Sequence, residues 1–133
     1  MRTPAGAECA LYYEDFARGR NVQECRAARE AGSAAWRPED CAACPVPAVL
    51  AANGSPWLAV TIRIPNKRFR TRRRVTATFA CSLHGVPLAD PNIGCPRCNA
   101  EADALLRAAF ESRDRLATGA DRVTQSYLPT HPL

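Results

Sequence analysis

Cys81-Ser82-Leu83-His84-Gly85 is followed, after Val86–Ile93, by Gly94-Cys95-Pro96-Arg97-Cys98. Two residues between ligands is the spacing at which a tight turn delivers two side chains to one tetrahedral ion. A glycine beside each pair lets the backbone fold around the ligand atoms at no steric cost. Three thiols and one imidazole in two such turns specify Zn²⁺, held by Cys81, His84, Cys95 and Cys98. Cys98 stands just before Asn99, a helix-capping residue, and the positive end of a helix favours its thiolate.

Downstream of these turns, Ala102, Leu105, Leu106, Ala109, Phe110 and Leu116 form an apolar stripe at helical spacing, which predicts a helix capped by Asn99 and ending before Gly119. Residues 119–133, with Pro129 and Pro132, read as a tail. Upstream, Leu58, Val60, Ile62 and Ile64 alternate with Ala59, Thr61 and Arg63, the period of a half-buried strand. A second strand is expected from about Arg74 to Cys81, and Pro65–Arg73 between the two reads as a polar hairpin tip.

The Cys-x2-His-Gly … Gly-Cys-Pro-x-Cys pattern of residues 81–98 resembles small zinc-ribbon and treble-clef modules, including those attached to phage and bacterial nucleases. The resemblance implies a structural zinc on Cys81, His84, Cys95 and Cys98. Such modules often bind nucleic acid or protein. The remainder of a nuclease is not there, since His131 is the one other histidine. A zinc deaminase is excluded as well: it needs His-x-Glu and Pro-Cys-x-x-Cys, whereas Val86 and Gly94 occupy the Glu and Pro positions.

Cys9, Cys25, Cys41 and Cys44 remain, a second set of four. Two solitary cysteines and one close pair suit a cubane cluster, which gathers thiolates from separate segments, and Cys44-Pro45 is a step common in cluster-binding loops. The set is therefore assigned to a [4Fe–4S] cluster or to a second zinc. A helical frame is expected for it. Asn21 and Glu24 read as a cap and its return partner for a helix over Val22–Ala31. Pro38-Glu39-Asp40 reads as a further helix start, and Pro47–Ala52 as a short helix stopped at Asn53-Gly54. Residues 1–8 read as a loose lead.

The chain has 133 residues, of which Leu, Ile, Val and Phe supply 24. That is a thin core, and metal staples are the expected remedy. No stretch approaches the roughly 20 apolar residues of a membrane span, and no signal-peptide core is present, so a cytoplasmic protein is expected. The net charge of +5 is local. Residues 61–75 carry Arg63, Lys67, Arg68, Arg70, Arg72, Arg73 and Arg74 and no acid, while the rest of the chain holds eleven basic and thirteen acidic side chains. With Phe69 among them for stacking, these residues are the expected contact with RNA or DNA.

Tyr12, Tyr13 and Phe16 are expected to shield the first metal centre, with Trp36 and Trp57 between the halves. Glu14-Asp15 and Glu39-Asp40 are adjacent, so neither pair converges as a catalytic dyad. No enzyme and no small-molecule substrate are expected.

The sequence thus predicts a small α+β protein stapled by metal. Residues 1–54 form a helical half built on four cysteine ligands. Residues 55–118 hold a β-hairpin, a zinc-ribbon or treble-clef-like site and a helix. The expected function is a nucleic-acid-binding or nucleoprotein-associated module. The alternatives are an iron–sulfur redox or sensor protein, and an interaction subunit of a larger complex.

Overall fold

A computed structural model describes residues 1–66 and 72–124, with side chains to residue 118. The chain divides into two compact units, Met1–Cys95 and a second that begins at Pro96. Both helices and small antiparallel sheets are present, so the fold is α+β.

The first unit opens with a tight turn rather than a loose lead. Thr3 N–H donates to Ala7 O at 2.8 Å, and Cys9 N–H donates to Met1 O at 2.9 Å. Thr3 is buried. This turn delivers Cys9 to the start of β1 (Tyr12–Asp15), which pairs antiparallel with β2 (Val22–Cys25), Tyr12 opposite Cys25 and Asp15 opposite Val22. A helix expected over Val22–Ala31 is therefore a strand followed by irregular chain. Local capping chemistry at Asn21 and Glu24 loses to cross-strand pairing, which also ties Gln23 Nε2 to the Tyr12 hydroxyl at 2.8 Å. The hairpin loop closes through Ala17 N–H donating to Asp15 Oδ1 at 2.9 Å.

A 3₁₀ turn, Pro38–Ala43, starts at the expected proline, and α1 (Val46–Ala52) follows at once and buries Val46 and Val49. Asn53 ends α1: its N–H reaches Val49 O, and its side-chain amide donates to Pro91 O at 2.8 Å. The two alternating segments form β3 (Leu58–Arg63) and β4 (Thr76–Cys81), paired from Leu58–Cys81 to Arg63–Thr76. A short β5 (Val86–Pro87) adds to β4.

One core draws on residues from both sides of residue 54. Cys9, Tyr12, Ala27 and Val46 pack with Ile62, Ile64 and Val75. Backbone bonds run across as well, from Ile62 N–H to Ala27 O and from Ala34 N–H to Ile64 O. The first cysteine set and the β3–β4 sheet thus share a single compact unit.

The second unit is α2 (Pro96–Thr124). Proline at its first position suits a helix start, so α2 begins three residues before the expected cap and places Cys98 and Asn99 in its first turn. It also runs through Gly119, since an interior glycine costs only about 1 kcal/mol. Leu105, Leu106, Phe110 and Leu116 are exposed on it. Residues 125–133 lie outside the described residues.

Candidate metal centres

Cys81 ends β4, and the chain turns through Ser82–Gly85 into β5. Gly85, at φ 63°, makes this reversal and donates its N–H to Cys81 O at 2.8 Å. A second turn closes with Gly94 N–H on Asp90 O, and Gly94, at φ 89°, presents Cys95. In both of these turns the backbone is left-handed, and glycine adopts that conformation at no steric cost.

His84 Nδ1 lies 3.6 Å from Cys81 Sγ and 3.5 Å from Cys95 Sγ. A tetrahedral zinc with Zn–S of about 2.3 Å and Zn–N of about 2.05 Å sets sulfur and nitrogen about 3.55 Å apart. The ligand atoms of Cys81, His84, Cys95 and Cys98 all lie within 4.8 Å of one another. Cys81 and Cys95 are buried, and His84 and Cys98 are half-buried. The four expected ligands form a site that can hold one metal ion, and the three-thiol, one-imidazole donor set suits zinc.

The other four cysteines line one cavity of about 380 Å³, its mouth included, together with Tyr12, Trp36, Asp40, Val46, Ile62 and Val75 among others. Each arrives on a different piece of structure. Cys9 precedes β1, Cys25 ends β2, Cys41 lies in the 3₁₀ turn, and Cys44 follows it. Burial pushes the thiols of Cys25 and Cys44 up, and that of Cys41 up to about 11. None of the seven cysteines is in a disulfide.

Of the aromatics expected to shield this set, Tyr12 is 3% exposed and Phe16 is 53% exposed. Tyr13 instead stacks under the Arg26 guanidinium, 4.6 Å from its ring centre. Trp36 lines the cavity, 6.1 Å from the Tyr12 ring, while Trp57 is about half exposed near Cys81 and Cys95.

The basic segment requires a correction. Arg63, Arg72 and Arg74 are exposed. Lys67, Arg68, Phe69 and Arg70 lie outside the described residues. Arg73, expected at a solvated tip, turns inward. Its Nε donates to Asp40 Oδ1 at 3.0 Å, and its Nη2 binds Asp40 Oδ2 and, at 3.1 Å, Ala35 O. Asp40 in turn accepts from Arg37 N–H at 2.8 Å. Asp40, expected at a helix start, does cap the 3₁₀ turn through that bond, but it is buried, at 6% exposure. Sequence offers no signal for this pair, because its members lie 33 residues apart.

Comparison with known proteins finds no family model, no curated protein and no solved structure that matches the chain. Among the described residues, no helix is long and apolar enough to cross a membrane.

Proposed function

We propose that the chain is a non-catalytic nucleic-acid-binding or nucleoprotein-associated module, in which zinc on Cys81, His84, Cys95 and Cys98 is structural and the β3–β4 connection contacts phosphates. One observation carries this reading: seven basic residues and no acid between residues 61 and 75, with Arg63, Arg72 and Arg74 open to solvent. Four protein ligands at a zinc site leave no open position for substrate or for an activated water, which favours a structural metal. Arginine supplies all but one of the cations, and its fork suits bidentate phosphate contact better than lysine does. Arg73 is committed to Asp40, which leaves six cations for the contact.

The test is a salt titration of binding to single- and double-stranded RNA and DNA. Binding that weakens steeply with salt, and loses slope in an Arg63→Ala/Arg72→Ala/Arg74→Ala variant, supports the reading. Equal affinity of parent and variant across the titration rejects it. Binding confined to an acidic protein would favour the interaction-subunit reading instead.

A further inference from the structure

We infer that the Cys9, Cys25, Cys41 and Cys44 cavity is a [4Fe–4S] site, separate from the zinc site and independent of the nucleic-acid reading. Two observations converge on it.

The first is spacing. A single zinc holds its sulfurs about 3.8 Å apart, given Zn–S of about 2.3 Å in a tetrahedron. The Cys81 set approaches that geometry, with all ligand atoms within 4.8 Å, and among the described residues the N-terminal set does not form such a group. Its thiols instead all line one common cavity. In a cubane each iron takes one cysteine, so the four sulfurs stand outside the corners of a cube and further apart than around one ion.

The second is the wall. Apart from Thr3 and Asp40, the residues between the thiols are apolar or aromatic: Tyr12, Trp36, Val46, Pro47, Ile62 and Val75. Asp40 carries a carboxylate that would repel a thiolate-ligated cluster, and the Arg73 guanidinium is bound to it on two atoms. The wall therefore presents a neutral pair.

The experiment uses the full chain purified without oxygen and, if colourless, incubated with equal amounts of ferric and ferrous iron and with sulfide. About four iron and four sulfide per chain beside one zinc, with a brown colour bleached by dithionite, is the expected result. Cys25→Ser should lose iron and sulfide and keep zinc, and Cys98→Ser should do the reverse. Two zinc ions and no sulfide overturn the inference, as does iron bound without sulfide.

Discussion

Arg73 and Asp40 form a two-point ion pair in the interior, with side-chain exposures of 13% and 6%. The pair links the chain entering β4 to the 3₁₀ turn that carries Cys41. Removing one member of such a pair leaves the other charged and desolvated, at a cost of about 3–5 kcal/mol. Arg73→Ala should therefore lower the denaturant midpoint sharply. Arg72→Ala, one residue away and exposed, should stay within about 0.5 kcal/mol of the parent. Equal effects from the two variants in urea titrations would contradict the burial of the pair.

Zinc should be inseparable from the stability of the Cys81–Cys95 region. His84 Nδ1 sits at 3.6 and 3.5 Å from the two sulfurs, and structural zinc is worth about 10 kcal/mol or more in isolated fingers. Cys95→Ser should lose one zinc per chain and lower the melting temperature, and a chelator should reproduce the shift in the parent. An unchanged melting curve with zinc absent from both proteins would defeat the assignment.

Polyanion binding should depend on charges that the core does not use. Arg63, Arg72 and Arg74 are exposed, so their joint replacement by alanine should leave folding and metal content intact. The slope of log K against log salt should flatten by about one for each phosphate that is no longer neutralised. Arg73→Ala should act differently, through stability, and a folding control separates the two.

Tyr12 connects the β1–β2 hairpin to the thiol cavity. Its hydroxyl donates to Glu14 Oε2 at 2.8 Å and accepts from Gln23 Nε2 at 2.8 Å, and its ring lines the cavity. Tyr12→Phe should cost about 1 kcal/mol in chemical denaturation, the usual net worth of such bonds. Metal content should not change, since the ring that shields the thiols is kept.

Sequence alone determined the features whose causes are local. The Cys81–Cys98 ligand set is legible because two-residue spacing and flanking glycines act within a single turn, and Gly85 and Gly94 adopt the left-handed backbone that those turns need. Strands β3 and β4 are legible from the alternation of Leu58, Val60, Ile62 and Ile64. Helix α1 is legible from Pro47 and Asn53. Tertiary structure decided what depends on distant partners. Val22–Cys25 carries a helix-capping pattern yet becomes a strand, because Tyr12–Asp15 offers a full register of backbone pairing. Arg73 reads as one more cation in a basic run, and only the fold brings Asp40 to it from 33 residues away. Cys9 and Cys25 carry no spacing signal of their own. They reach the Cys41–Cys44 turn because a hairpin and a core spanning residue 54 bring separate segments around one cavity, and long-range burial of that kind leaves no mark in any short stretch of sequence.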